Sequence, residues 1–434
     1  MDKLRIQHLL LIRPSEYVKA FWAFLYFFTL LSSYFVLRPI RDEMGILNGA
    51  SNMQWLFTGT FIAMLALVPI FGYLSSRFKI GSLLLFLYPF FSLNIVLFYC
   101  SFTLNWAEGV TPTVFFIWLS VFNLFAISLF WSFLVDIFTT DQSKRLFGII
   151  AAGGSLGAIC GPLLASSFAN QLGVDGLFLL AATLLLVVTF SLYRLIQLQP
   201  SASEAKEAKT ASYSNISLKG KSVLDGIKLV MKSRFLQKLV LYILLYTSVS
   251  TFLYFEQAHL VEQQLTATAD RIRYFSRVDL ITNTLAIGGQ FFLTNHIIKT
   301  YGLSLALCGI PIVVGIGFMV LSTKTILVVV ALLLVIHRAG NYMLMKPGRE
   351  MLYTIVSREE KYKAKNFIDT AVYRGGDALT GWLFAALVSL GLGLSTIAFL
   401  AVPLISIWIY TGYQLGNKTD RLTKTVPANF KQTK

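Results

Sequence analysis

Apolar runs of about 20 residues, the length that crosses a bilayer as a helix, recur twelve times along the 434-residue chain. Their cores read as 17–37, 53–75, 81–101, 112–136, 146–169, 175–196, 236–256, 275–297, 302–322, 324–346, 366–389 and 392–413. In lipid the backbone must satisfy its own hydrogen bonds, so each run is expected to be helical. Only 13% of residues are charged and mean hydropathy is +0.68. That excludes an ordinary soluble domain, where charges make up about 25%, and a disordered chain. The expected fold is all-α: a polytopic membrane protein of twelve transmembrane helices.

Six runs precede a polar stretch over 197–235 and six follow it. Three parts follow: an N-terminal six-helix bundle (1–196), a linker (197–235), and a C-terminal six-helix bundle with a basic tail (236–434). The linker is rich in Ser, Lys and Glu from Ser201 to Ser214, as flexible solvated connectors are. Its end, Lys221 to Lys238, spaces Lys and Arg among apolar residues, as a helix lying on the membrane surface does. The formal net charge is +16, and 27 of the 37 Lys and Arg fall on one set of alternating loops. By the positive-inside rule that side is cytoplasmic, and it holds both termini. Most of the positive charge is therefore a topology signal, with no nucleic-acid partner implied. The first span has no small-residue cleavage site and makes a poor signal peptide. Cys100, Cys160 and Cys308 have no paired spacing and read as small apolar residues.

Charges within these runs are the informative residues. Each costs about 2.5–3.5 kcal/mol on insertion scales, so it faces the bundle interior, a partner or a water-filled path. Arg38, Arg41, Asp42 and Glu43 follow span 1; they form either a solvated helix end or part of a site. Asp136 ends span 4, where it caps a turn, pairs with Lys144, or serves transport. Glu256 ends span 7, and Arg277 and Asp279 open span 8. Span 10 carries Arg338, Lys346, Arg349 and Glu350. There Lys346 and Arg349 either snorkel to the surface or line a cavity. Span 11 carries Asp369, Arg374 and Asp377, the last two at a spacing that lets them satisfy each other. Arg338, between Val335 and Gly340, reads as a cavity-facing cation. The basic excess among these residues points to an anionic substrate in an aqueous cavity.

Gly153, Gly157 and Gly161 recur every four residues in span 5, followed by Pro162. One helical face then lacks side chains, and a neighbouring helix can approach closely. The pattern Gly157-x-x-x-Gly161-Pro162 resembles a motif of antiporters in the major facilitator superfamily. Gly72-x-Leu74-x-x-Arg77 is similar to a reduced form of that superfamily's loop motif. A faint internal echo joins the two halves. Asp136, Thr139, Thr140 and Lys144-Arg145 precede Gly153-Gly154, as Glu350, Thr354 and the Lys361–Lys365 run precede Gly375-Gly376. Two pseudo-symmetric bundles with a site between them near the membrane midplane are expected from such repeats.

Several stretches resemble the ATP/ADP translocase family of bacterial and plastid nucleotide carriers, a branch related to the same superfamily. Arg38-Pro39-Ile40-Arg41-Asp42 resembles its Arg-x-x-Lys-Asp after span 1. Leu74-Ser75-Ser76-Arg77-Phe78 resembles its Leu-Ser-Asn-Arg-Phe. Phe130-Trp131-Ser132-Phe133 with Asp136 is similar to its Phe-Trp-Gly-Phe-Ala-Asn-Glu. Lys144-Arg145 with Phe147 is imperfectly similar to its Ala-Lys-Arg-Phe-Tyr. Lys346-Pro347-Gly348-Arg349-Glu350-Met351 with Tyr353, then Lys363-Ala364-Lys365 and Ile368-Asp369, carries the most specific likeness. The resemblance places three basic transport positions on Arg41, Arg349 and Asp377, and an acidic one on Asp136. Asp377 reverses the charge of the family's Lys, with Arg374 one turn earlier as a substitute. Lys346 stands where the family has Asp.

Together these readings give a secondary transporter exchanging nucleotides or related organic phosphates by alternating access. Arg41, Arg338, Arg349 and Arg374 are the expected substrate-binding residues. Guanidinium groups bind phosphate in a bidentate manner, and Trp55, Trp131, Tyr34 or Tyr342 can stack on a base. Asp136, Glu350 and Asp377 are expected to pair with those cations in the empty state, or to accept a proton. The alternative is a proton-coupled carrier of another anion, a metabolite or a drug; a non-transporting receptor or assembly factor is a third class. No enzymatic set is legible: His8, His259, His296 and His337 are scattered, and no metal-ligand spacing, Walker-type loop or cofactor motif occurs. The expected setting is a monomer in the bilayer of a bacterial inner membrane.

Overall fold

The computed structural model of the chain describes residues 13–107, 109–199, 223–357, 364–365 and 367–425. The basic N-terminus, most of the linker (200–222), the basic residues of 358–363 and the tail from 426 lie outside the described residues. Every regular element among the described residues is helical. Spans 1 to 4 are α1 (Tyr17–Leu47), α2 (Met53–Arg77), α3 (Ile80–Thr103) and α4 (Thr111–Ile137). Spans 5 and 6 form one 58-residue element, α5 (Thr140–Gln197), which breaks at Gly173 where φ is 63°. The short helix expected before span 7 is α6 (Val223–Lys232). Spans 7 to 9 are α7 (Arg234–Gln264), α8 (Thr268–Phe292) and α9 (Thr294–Thr323), and spans 10 to 12 are α10 (Leu327–Gly340), α11 (Tyr373–Ser389) and α12 (Leu394–Thr425). With the two arms of α5 counted separately, the twelve-helix expectation is met.

Nine helices among the described residues are long and apolar enough to cross a membrane, α5 counting as one. α8 falls short of that measure because five charged residues crowd its first twelve positions, and α11 because it is only 17 residues long. Hydropathy also shifts its boundaries: the expected 275–297 is a helix over Thr268–Phe292. α1 likewise continues past residue 37 to Leu47, through Pro39 and four charged residues. In both places charges that look like loop belong to helix, because they find partners in the folded state.

The chain forms two compact, interleaved units: Met1–Asn48 with Ile62–Leu218 and Ala267–Leu280, and Gly49–Phe61 with Lys219–Thr266 and Ile281–Lys434. In the first unit α1, α3, α4 and α5 share an aromatic core. Phe27 stacks on Phe130 with ring centroids 4.1 Å apart. Tyr26 and Tyr88 are fully buried with hydroxyls 2.6 Å apart, and Tyr88 donates onward to the Ala126 carbonyl at 3.4 Å. A buried hydroxyl without such a partner is costly in apolar surroundings. The glycine stripe of span 5 packs on α1. A Cβ at Gly153 would lie 2.7 Å from the Phe24 carbonyl oxygen, and one at Gly161 would lie 2.8 Å from that of Ser32. A Cβ at Gly157 would overlap the Phe28 carbonyl oxygen outright.

In the second unit α12 is clamped to α9. The Asp420 carboxylate accepts the Leu303 and Ser304 backbone N–H groups at 3.1 and 3.3 Å. It thus caps the helix that restarts after Gly302, whose φ of 82° breaks α9 near its start. A carboxylate at a helix N-terminus satisfies free N–H donors and complements the helix dipole.

The glycine stripe makes a direct prediction. Gly157→Val should destabilise the detergent-purified protein by about 1–3 kcal/mol or more, as overpacking does. Gly148→Val, on the same helix with nothing within 4 Å of its Cβ position, should leave the melting temperature nearly unchanged. Equal melting of the two variants would show that α1 and α5 do not depend on close approach.

Candidate functional site

In the first unit, the C-terminal turns of α1 meet the charged start of α8. Arg38 reaches Asp279 at 3.4 Å, and Arg271 reaches Glu43 at 3.6 Å. Arg41 holds its neighbour Asp42 through Nε at 3.0 Å and Nη2 at 2.6 Å. Its guanidinium also lies 5.0 Å from the centre of the Phe116 ring. Asp42, Glu43 and Asp279 are buried, and their arginines are nearly so. The charges after span 1 are therefore no solvated helix end. Pro39 keeps φ helical but donates no N–H to the Phe35 carbonyl, a local weak point in α1 just before these residues.

Asp136, by contrast, is an exposed residue of the last turn of α4. Beside it, Arg145 at the start of α5 grips Glu16 with two bonds of 2.8 and 2.9 Å and Asp141 with one of 2.9 Å. Thr139 and Gln142 complete this helix start by exchanging side-chain and backbone hydrogen bonds. Arg145, which by sequence marks topology and part of a family-like motif, thus ties the start of α1 to the start of α5. Glu16 was not singled out from sequence, and no spacing rule links residues so far apart in the chain.

In the second unit the helical backbone itself changes at the expected site. A π-helical turn, Asn341–Met345, follows α10 before the chain resumes as α-helix over Lys346–Leu352. A second π-helical turn, Ile368–Val372, leads into α11. Such turns are rare and concentrate at functional sites. The first is supported from outside: Gln290 donates to the Tyr342 carbonyl at 3.0 Å, and Thr294 donates to that of Met343 at 2.6 Å. On an unbroken α-helix, positions eleven apart nearly share a face. The π-turn between Arg338 and Arg349 rotates one away from the other.

The charged residues around these turns are paired. Arg349 lies 3.6 Å from Asp369, and Lys365 lies 2.6 Å from Glu350. Arg374 lies 3.5 Å from Asp377, which also accepts the Thr251 hydroxyl at 3.3 Å. Ser248 and Thr380 hydroxyls meet at 3.0 Å, extending a polar seam between α7 and α11. Arg374 and Asp377 are thus brought together, whereas Arg349 and Glu350 each take another partner. Arg338 is half-buried and Lys346 is exposed. His337 is fully buried, stacked on Tyr246 with centroids 4.9 Å apart.

The aromatic residues offered for base stacking separate by environment. Tyr342 is exposed on the π-turn. Trp131 packs into the aromatic core of the first unit, and Tyr34 is buried against Phe35. Trp55 meets Trp382 edge-on, and Trp382 donates its indole N–H to Thr58 at 3.0 Å. Among the described residues no group of three or more His, Cys, Asp or Glu side chains is arranged to hold a metal ion.

The family model described as Major Facilitator Superfamily matches residues 20–376. No curated protein matches the chain by sequence. Among solved structures it is similar to a bacterial homologue of the iron transporter ferroportin in its inward-facing state, with TM-score 0.61 and 13% identity over 96% of this chain and 99% of that one. It is also similar to a D-xylose–proton symporter, with TM-score 0.59 and 13% identity over 93% and 98% of the two chains. An auto-inhibited POT-family peptide transporter gives TM-score 0.58 and 13% identity over 93% and 96%. Identities this low speak for the fold alone.

The buried pair of Arg38 and Asp279 makes a stability prediction. Arg38→Gln or Asp279→Asn alone should cost about 3–5 kcal/mol, because each strands the other charge. The double variant should recover about 0.5–3 kcal/mol of the summed loss in thermal unfolding, the size of a direct coupling. Strict additivity would mean that the two side chains do not interact.

Proposed function

The chain belongs to the Major Facilitator Superfamily, and on that premise we propose that it carries a small organic phosphate, a nucleotide such as ATP or ADP first, by alternating access. The family makes it a multi-pass membrane transporter, and we propose no enzymatic activity for it. The proposed setting is a bacterial inner membrane, both termini cytoplasmic, the chain acting as a monomer without a cofactor. The observation that supports the substrate class is that Arg349 and Arg374, next to the two π-turns, are each held by a carboxylate, at 3.6 and 3.5 Å, which an anionic cargo could replace, with Arg338 as a further cation on α10. A phosphate can displace Asp369 or Asp377 and take the guanidinium in a bidentate manner. Arg41 is the corresponding cation in the first unit. Tyr342, exposed on the π-turn, is the aromatic residue best placed to stack on a base. Gly153, Gly157, Gly161 and Pro162 serve packing in this reading, and Asp136 serves the surface of α4.

One observation favours a second reading. Exchange becomes obligatory when an unloaded cationic cavity cannot reorient, and here Asp42, Asp369 and Asp377 already neutralise three of the arginines. A compensated empty carrier can return without cargo, which suits a proton-coupled carrier of another anion. Asp377, where the translocase family has Lys, also repels phosphate unless Arg374 outweighs it.

Proteoliposome uptake of labelled ADP distinguishes the readings. Saturable uptake stimulated by internal ADP supports nucleotide exchange. Arg338→Gln and Arg349→Gln should each then lower it about tenfold or more, the worth of one charged hydrogen bond of about 1.5–3 kcal/mol. No saturable uptake, with or without internal nucleotide, would sink the nucleotide proposal. Uptake driven by a pH gradient into empty vesicles would favour the second reading.

A further inference from the structure

Glu256 lies on α7, eight residues before its end, with a relative exposure of 0%. Neither carboxyl oxygen has a hydrogen-bond partner among the described residues. Glu43 is as deeply buried, yet it has the Arg271 guanidinium 3.6 Å away. No such cation pairs with Glu256 among the described residues.

The neighbouring segments explain this isolation. From α11, Gly381 and Phe384 pack on Phe255, next to Glu256. The backbone of Gln54, an uncharged residue at the start of α2, lies against Gly381 on that side. The charged pair of α11, Arg374 with Asp377, meets α7 at Thr251, more than one turn earlier. Asp369, in the π-turn before α11, is engaged by Arg349. α10 and α12 run opposite to α7, and Tyr246–His337 and Tyr242–Trp408 fix their level. The stretches that then lie opposite Glu256, 327–334 and 394–401, contain no titratable residue. On α7 itself Glu262 accepts the Ala50 N–H at 3.4 Å.

The remaining titratable neighbour is His259, three residues on and so along the same side of the helix. Its Nδ1 lies 2.9 Å from the Phe255 carbonyl, which makes Nδ1 the donor and leaves Nε2 as the acceptor. Nε2 is buried and has no partner among the described residues, while the residue as a whole is half-buried and Gln263 and Gln264, one turn on, are exposed. Two polar groups one turn apart, each with unused capacity, thus lead from a closed interior toward solvent.

We propose that Glu256 is a proton-binding site of this transporter, loaded and unloaded through His259. An ionised carboxylate here would have neither water nor cation, the costly arrangement for a buried charge. The packing therefore accommodates the neutral acid. A divalent metal needs several converging oxygen ligands, and among the described residues no cluster of three or more His, Cys, Asp or Glu forms. In the loading step the half-buried His259 ring turns Nε2 outward and takes a proton from solvent there. The ring then turns to bring Nε2 within hydrogen-bond reach of the carboxylate, where that N–H bond breaks as an O–H bond forms on Glu256, and Nε2 is restored with no electron transfer. Coupling this proton to cargo rests on the transport reading above; proton binding itself does not.

Infrared spectroscopy of the reconstituted full chain tests it without knowledge of the cargo. A protonated-carboxyl C=O band should be present in the wild type, should respond to pH, and should vanish in Glu256→Gln. Glu256→Asp should keep a shifted band, which guards against a folding defect in the Gln variant. In D2O, exchange of that band should slow about tenfold or more in His259→Phe. A wild-type spectrum with no titrating band, or one that Glu256→Gln leaves unaltered, overturns the site. Unchanged exchange in His259→Phe overturns the route. Labelled ADP supplies the separate transport arm: its pH-driven uptake should fall in Glu256→Gln while exchange against internal ADP persists. Failure of the wild type to move ADP counts against the nucleotide reading and leaves the infrared result to decide on Glu256.

Discussion

An arginine within hydrocarbon needs a carboxylate against it, and this requirement organises much of both units. In the first unit it brings the charged start of α8 to the end of α1. Arg38 with Asp279 and Arg271 with Glu43 are the contacts that let residues 267–280 belong there. In the second it sets Arg349 on Asp369 and Arg374 on Asp377 across and along the last spans. Without water, each stranded charge would cost far more than a surface ion pair returns. The pairs therefore constrain which helices can be neighbours.

Close packing supplies the complementary constraint. Lipid tails are as apolar as leucine, so burial alone does not hold membrane helices together. The glycine stripe of α5 brings it against the backbone of α1, and the stacked rings around Phe27 and Phe130 fill the space beside it. The second unit departs from this regularity where the candidate site lies. Its two π-turns are tolerable in a membrane because Gln290 and Thr294 hydrogen-bond to carbonyls of the first. Irregular backbone, paired cations and the α7–α11 polar seam thus coincide within one unit.

That coincidence bears on how a carrier of this family would work here. Cations already matched by carboxylates make an empty state that is nearly neutral, and an incoming anion then competes for guanidinium groups. A buried carboxyl without a cation is the opposite device, since only a proton makes it compatible with its surroundings. The two kinds of site sit at different levels of α7, at Thr251 and at Glu256, so cargo and proton need not compete for the same atoms.

Periodicity and composition were enough to read twelve helices, their approximate limits, the short helix before span 7 and the glycine face of span 5. These are local consequences of chain length, hydrophobicity and side-chain size, which hold whatever the neighbours are. The motifs likewise singled out most of the charged residues that the fold buries. They did not show which charge meets which. Arg349 takes Asp369 and not Glu350, Arg145 reaches back to Glu16, and Asp136 stays at the surface, because pairing depends on helix rotation and distant contacts. The π-turns were equally illegible, since the donors that support one of them come from α8 and α9. What the sequence determined was a membrane bundle with a surplus of internal cations; only the tertiary structure decided their partners and left Glu256 without one among the described residues, because in lipid a charge is settled by what lies beside it in space.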